Sequence, residues 1–366
     1  MVGGGEGAFI GAVHRIAARL DGDYTLVAGA LSSDAERARR SAEALGIAPE
    51  RAYGDFRAMA KGETEREDGI EAVAIVTPNH VHYEAAEAFL KAGIHVICDK
   101  PLTTSLDRAK ALEQLVADTG LVFALTHNYA GYPMVRQARQ MVREGALGAI
   151  RVVIAEYAQD WLSEKVEESG NKQAGWRTDP AQSGPGGSIG DIGTHAFQLA
   201  CFVTGLDFEV TAAELHSFVP GRALDDNAFI TMRAGPARGT LWCSQVAPGN
   251  ENALTLRVYG EKGGLTFRQE NPNELWFAPL GGETRLITRA GAGSGAAAGR
   301  VSRVPPGHPE GYLEGFANIY AEAARAIRAH RDGRPVGPDV TFPGIHDGVA
   351  GVNFIETAVR LSRPRA

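Results

Sequence analysis

Two short stretches of this sequence set residues with working chemistry beside each other. The first is Asp99-Lys100-Pro101, with Thr77-Pro78-Asn79-His80 upstream of it. It places an ammonium next to a carboxylate. The proline ends a strand ladder there, so Lys100 is directed off the sheet. The second is Gly186-Gly187-Ser188-Ile189-Gly190-Asp191-Ile192-Gly193-Thr194-His195. Asp191 and His195 are four apart and share a helix face. A carboxylate so placed fixes an imidazole's tautomer and raises its pKa toward working pH. The glycines allow the backbone to pack closely against a neighbour. Taken singly, each stretch also reads as a solvated surface pair. The remaining histidines carry less. His80 and His82 sit two apart in a turn and His95 lies inside a strand. No third ligand stands at metal spacing, so no metal site is expected. Tyr129, Trp161 and Trp176 are candidates for a pocket lining.

The elements that must hold these residues follow from hydrophobic period. Residues 72–76 and 94–98 are β-branched runs flanking an amphipathic helix near 81–91, a parallel βαβ unit. In open parallel sheets, ligands sit at the carboxyl ends of the strands, where Thr77 and Asp99 fall. Upstream, Gly3, Gly5 and Gly11 punctuate a glycine-rich turn that leads through Phe9 and Ile10 into a helix. Such a turn lets backbone N–H groups approach a pyrophosphate. Its spacing is stretched and almost no strand precedes it, so we expect a first strand cut short, or a start codon assigned inside it. Residues 24–31 are the predicted second strand, and Ser33 with Glu36 forms a capping box for the helix that follows. Ser32 ends that strand where an acid often meets the ribose 2′-OH. Serine does not repel a 2′-phosphate and Arg37 can pair with one, which favours NADP over NAD.

Residues 47–69 read as a connection, with 61–68 an exposed turn. A helix at 106–119 and a strand at 121–125 end in Thr126-His127-Asn128-Tyr129. Strand and helix therefore alternate over 1–128, a doubly wound, Rossmann-type α/β domain. Beyond it the pattern changes. We predict helices at 134–144 and 186–203 and strands at 150–157, 209–218, 228–233, 239–246, 254–259, 265–268 and 274–277. These make an α+β domain over 129–343 with a large, mostly antiparallel open sheet. The loop 159–185 is polar, and 290–300 is Gly/Ala/Ser-rich and expected to be mobile. Helices follow at 311–331 and 344–361, the last in a segment 344–366 that packs back on the body.

The 366 residues are 44% hydrophobic and 22% charged, with a net charge of −7, which disfavours nucleic acid or an anionic membrane as partner. Cys98, Cys201 and Cys243 lie in apolar runs without a CxxC, so reduced, buried thiols in the cytoplasm are expected. No apolar run approaches the roughly 20 residues of a membrane span, and no basic leader opens the chain.

Three motifs in order give the sequence a family resemblance. Asp99-Lys100-Pro101 is similar to a Glu-Lys-Pro, with Asp99 in place of the glutamate. Thr77-Pro78-Asn79-His80-Val81-His82 matches Thr-Pro-Asn-x-x-His. Asp191-Ile192-Gly193-Thr194-His195 matches Asp-x-Gly-x-His, and Trp176-Arg177 precedes it. Together they resemble the Gfo/Idh/MocA oxidoreductases, which include glucose–fructose oxidoreductase and inositol 2-dehydrogenase. The resemblance implies hydride transfer between a secondary hydroxyl of a sugar, sugar derivative or cyclitol and the nicotinamide of NAD or NADP. It implies that Lys100 hydrogen-bonds the reacting oxygen, that His195 is the general base and that Asp191 orients it. Thr77, Pro78, Asn79, His82, Asp99 and Asn128 would attend the cofactor. Tyr157, Lys172, Trp176, Arg177 and His308 would meet substrate hydroxyls. A homodimer or homotetramer through the second-domain sheet is also implied. Two other readings stay open, a non-catalytic dinucleotide sensor and an NAD-assisted glycoside-cleaving enzyme. The intact Lys100, Asp191 and His195 set favours the dehydrogenase.

Overall fold

The structure, a computed structural model, describes residues 1–362 apart from the side chain of Lys172. The chain forms two compact units, residues 1–128 with 313–349, and residues 129–312 with 350 onward.

The first unit is built on a parallel sheet of β1 (Val2–Gly3), β2 (Ala72–Val76), β3 (His95–Cys98) and β4 (Phe123–Leu125), in that order. Val73, Ile75, Val96, Ile97, Ala124 and Leu125 are all buried, as strands covered on both faces must be. The helix His82–Lys91 buries Ala85, Ala86, Phe89 and Leu90 and turns into β3 through Gly93 at φ +77°. The helix Tyr312–Arg331 closes the unit, where the Tyr320 hydroxyl meets His14 Nδ1 at 2.8 Å.

Several expectations are corrected here. Residues 24–31 form no strand of their own. They meet the sheet through a bridge at Val2–Ala30, with a second bridge from Gly29 to Ala52 outside it, because β1, their partner, is two residues long. Val2 takes part in that short strand. The helix after it is capped by Asp34, whose carboxylate accepts from Arg37 N, and not by Ser33. The expected exposed turn at 61–68 begins inside the helix Phe56–Thr64. Its Glu63 is buried and paired with Arg51 and the Tyr53 hydroxyl. The boundary at 343 also shifts, since 313–349 belong with the first unit: β4 continues its ladder there, with Leu125 N donating to Pro343 O at 2.8 Å. Residues 363–366 of the expected C-terminal segment lie outside the described residues.

The second unit carries an eight-stranded sheet ordered β12-β11-β10-β9-β5-β8-β7-β6. Its strands are β5 (Ile150–Ala158), β6 (Glu209–His216), β7 (Asn227–Ala234), β8 (Ala237–Ser244), β9 (Ala253–Gly260), β10 (Gly263–Arg268), β11 (Glu274–Pro279) and β12 (Arg285–Thr288). The β5–β8 pair is parallel and the other neighbours run antiparallel. Side chains alternate across the sheet. Val153, Ala155, Leu241, Leu256 and Phe267 pack beneath the helices Pro133–Arg143 and Thr194–Thr204. Val152, Phe229, Tyr259, Trp276 and Leu286 stand exposed on the other face. Residues 290–300, expected to be mobile, are pinned instead. Gln137 Oε1 accepts from Gly295 N and Gln140 Oε1 from Ala297 N, and Ala298 is buried.

Candidate active site

The glycine turn is a close-packed cradle. A Cβ on Gly11 would lie 2.4 Å from Gly4 Cα, and one on Gly5 would lie 2.7 Å from Leu31 O. Gly3 and Gly4 both hold φ near +75°, open to glycine at little cost. Ser41, buried in the next helix, accepts from Glu6 N at 3.0 Å and braces the turn. The helix Phe9–Leu20 begins at Ala8 with no side-chain cap, so its first N–H groups remain available to an anion. Phe9 is 64% exposed at that helix start and Ile10 is half-buried. Ser32 Oγ accepts from Asp34 N, while Ser33 and Arg37 are exposed.

At the strand ends, the Asp99 carboxylate accepts from Lys100 N and from the Thr126 hydroxyl, both at 2.9 Å. The Lys100–Pro101 peptide is cis. Pro78 precedes a short helical turn whose Asn79 is buried. His82 is fully buried, with Nδ1 2.8 Å from Pro101 O and Nε2 2.9 Å from Thr77 O. Its ring ties two turns together, with both nitrogens against backbone carbonyls. Two buried polar atoms among the expected cofactor residues, Thr77 Oγ1 and Asn128 Nδ2, have no hydrogen-bond partner among the described residues. Buried polar atoms are normally paired, so the two orphans and the glycine cradle fit a bound dinucleotide. His127, also buried, has its pKa pushed down to about 3 by burial and then by the Lys100 charge.

In the second unit Asp191 lies in a π-helical turn, Ile189–Gly193, that runs into the helix Thr194–Thr204 carrying His195. Regular helical spacing is therefore interrupted between the two. Such bulges are frequent at functional sites. Asp191 Oδ2 accepts from Arg177 Nε at 3.1 Å and Gln245 Nε2 at 2.9 Å. Arg177 lies over the Trp176 ring, 4.2 Å from its centroid. The start of the Asp191–His195 segment is held from the β6–β7 connection. Asp225 accepts from Gly187 N, the Ser188 hydroxyl and Ile189 N at 2.7 to 2.9 Å. Its pKa is raised by burial against the pull of those donors. A Cβ on Gly187 would lie 2.0 Å from Asp225 O, which explains the paired glycines.

The structure thus joins Arg177, Trp176 and Asp191 into one cluster. Tyr157 is buried and donates to Asn252 Oδ1 at 2.7 Å, so its hydroxyl is engaged inside the protein rather than held open for a substrate. His308 stands exposed on a loop whose backbone is held by Arg289. The Lys172 side chain lies outside the described residues. Sequence reasoning missed Gly4, Ser41, Thr126, Asp225, Gln245 and Asn252. Thr126 is legible as the polar end of a strand; the others leave no local signal. Among the described residues, no group of three or more His, Cys, Asp or Glu is arranged to hold a metal ion, and no helix is long and apolar enough to cross a membrane.

A glycine cradle at the ends of a parallel sheet, followed by a carboxylate–imidazole segment on an α+β unit, defines a two-domain, nicotinamide-dependent oxidoreductase. Comparison with known proteins agrees. Residues 1–127 match the oxidoreductase family with NAD-binding Rossmann fold, and residues 135–266 match the GFO/IDH/MocA C-terminal domain. An oxidoreductase structure from Sinorhizobium meliloti is 57% identical, covering 99% of this chain and 96% of its own, with a TM-score of 0.90. An inositol dehydrogenase homologue from Azotobacter vinelandii, complexed with NAD+, is 37% identical over 99% of this chain and 94% of its own, with a TM-score of 0.95. An inositol dehydrogenase homologue from the same organism is also solved with NADH and myo-inositol. Levoglucosan dehydrogenase from Pseudarthrobacter phenanthrenivorans is 31% identical over 57% of this chain and 58% of its own length. The chain belongs to the Gfo/Idh/MocA family of oxidoreductases.

Proposed function

We propose that the chain is a dehydrogenase that oxidises a secondary hydroxyl of a cyclitol or sugar, with myo-inositol the first substrate to test. The observation that carries this reading is the Asp191 carboxylate, clamped by Arg177 and Gln245 one turn before His195. Such a cluster can accept from one hydroxyl and present an imidazole to the next. The Azotobacter homologue's complex with myo-inositol supports the cyclitol, and levoglucosan dehydrogenase supports an anhydrosugar as the next class to try.

Bound nicotinamide supplies the hydride acceptor. The cradle of Gly3, Gly4 and Gly5 with Thr77, Pro78, Asn79, Asp99 and Asn128 would hold the dinucleotide. In this reading the Lys100 ammonium donates to the reacting oxygen and stabilises its developing charge. The His195 imidazole takes the hydroxyl proton and returns it in the reverse direction. Asp191 orients that imidazole, while Trp176 and Arg177 meet the substrate's other hydroxyls. Ser32 and Arg37 suit a 2′-phosphate, whereas the Azotobacter homologue carries NAD+ and NADH; comparing kcat/KM for the two cofactors decides.

We also propose a homodimer or homotetramer through the exposed sheet face around Phe229 and Trp276, checked by light scattering, and a cytoplasmic location, in keeping with the buried thiols of Cys98 and Cys243. The central test is absorbance of reduced nicotinamide, with both cofactors, against myo-inositol, levoglucosan, pyranoses and sugar acids. Turnover with at least one polyol is expected. Cofactor binding without reduction by any of them overturns the reading in favour of a sensor. Glycoside cleavage without net reduction would favour the NAD-assisted lyase.

A further inference from the structure

We propose that Tyr129, Tyr157 and Asn252 are positioning residues for His195, joined in a one-way hydrogen-bond cycle that holds the Tyr129 ring against the imidazole. The proposal rests on the acid–base role given to His195 above.

The direction of every bond in the cycle follows from one donor. An indole N–H can only donate, and Trp161 Nε1 donates to Gln159 Oε1 at 3.0 Å. The other end of that amide, Gln159 Nε2, therefore donates to Asn252 Oδ1 at 2.8 Å. Tyr157 gives its single hydroxyl hydrogen to the same oxygen at 2.7 Å. Asn252 Nδ2 must then donate, and it reaches the Tyr129 oxygen at 3.3 Å and Gln269 Oε1 at 3.0 Å. In the 2.5 Å contact between the two phenols, Tyr129 is left as the donor. The ring closes from Tyr129 to Tyr157 to Asn252 and back, each member giving and accepting. Networks of this kind polarise and stiffen one another.

Two consequences follow for the imidazole. Neither phenol keeps a hydrogen for a substrate or for His195, and burial raises the pKa of both, so they hold their protons at working pH. They are not acids or bases in the reaction. Their rings instead pack against His195. Tyr129 meets it at 5.0 Å between centroids and 69° between planes, and Tyr157 at 6.3 Å and 60°. Tyr129 is also stacked on Tyr132 at 5.7 Å, a contact that with the closed cycle restrains its ring.

The test uses the full chain with Tyr157→Phe, which keeps the ring and removes only the hydroxyl. Trp161→Phe is the second variant, deleting the donor that sets the direction without entering the cycle. Histidine-selective NMR reads the His195 ring, with exposed His308 as internal control. In both variants the His195 signal is expected to shift or broaden while His308 stays in place; an unmoved His195 signal overturns the proposal whatever the substrate proves to be. With myo-inositol and NAD+, Tyr157→Phe is expected to lower kcat by about tenfold and to change KM by no more than about twofold. The primary deuterium isotope effect on kcat should rise. A higher KM with kcat kept would make Tyr157 a substrate ligand and overturn the positioning role. A wild-type enzyme inert toward every polyol would sink the dehydrogenase reading, and the NMR result would still decide whether the cycle orients His195.

Discussion

The glycine turn of the first unit and the Asp191–His195 segment of the second both pack backbone too tightly for a Cβ, but from different sources. Gly11 presses on Gly4 within a single short stretch of chain. Gly187 presses on Asp225, 38 residues away. The glycine turn, the first of the two, is therefore closed mainly by backbone, its own at Gly4 and Gly11 and that of Val76 and Leu31 beside Gly3 and Gly5. The second is made of side chains brought from afar, with Arg177, Asp225 and Gln245 converging on one turn. The glycines of the first kind stand in consecutive residues although their neighbours Leu31 and Val76 do not; the donors of the second kind are in place only once the sheet has formed.

That contrast can be broken experimentally, beginning with the largest effect. Lys100→Ala should lower kcat by about a thousandfold, as loss of a charged donor at a reacting oxygen does, while dinucleotide affinity by calorimetry stays close to wild type. Unchanged turnover would remove Lys100 from the chemistry.

Acid should separate the units next. His14 and His127 are buried, and burial pushes them down to about 4 and about 3. Their stabilising effect is complete above the ordinary histidine value of 6.5 and is lost as pH falls toward those folded values. Loss of about a few kcal/mol from the first unit is expected. Asp225 has the opposite sign. Its carboxyl is raised by burial, so acidification through the carboxylate range relieves its cost in the second unit. Hydrogen exchange at about pH 7.5 and about pH 5 should show β2–β4 loosening ahead of β5–β9; equal loosening would refute the contrast.

The paired substitutions Gly11→Ala and Gly187→Ala test the same division. Each puts a methyl into backbone, and a cost of about 2 kcal/mol or more is expected. Gly11→Ala should appear in dinucleotide Kd, and Gly187→Ala in kcat and Tm. The smallest effect falls on Gln245→Ala. It removes one of the donors to Asp191 Oδ2 and should cost about tenfold in kcat/KM, read by steady-state kinetics with Tm as the fold control.

Much of this architecture is legible in the amino-acid sequence. The βαβ unit, the polar strand ends and the alternation of the second sheet all follow from apolar period, which is local. The capping residue differs by one position from the expected Ser33, because Ser33 and Asp34 both suit the role and only backbone dihedrals separate them. The second strand is lost for a different reason. Residues 24–31 have the composition of a strand, but a ladder also needs a partner of matching length. Residues 290–300 have the composition of a mobile loop, yet Gln137 and Gln140 of a distant helix cap them. Asn252 and Gln245 sit at the ends of the β8–β9 connection, where polar residues are ordinary and carry no mark of use.

By itself the sequence determined the two architectures and the order of the motifs that carry Lys100, Asp191 and His195. It could do so because side-chain period and turn chemistry act over a few residues. Tertiary structure alone decided which donors hold Asp191, what caps the His195 segment and which way the hydrogens run among Tyr129, Tyr157 and Asn252. Those are pairings between segments far apart in the chain, and a hydrogen bond has a partner and a direction only when both ends are in place.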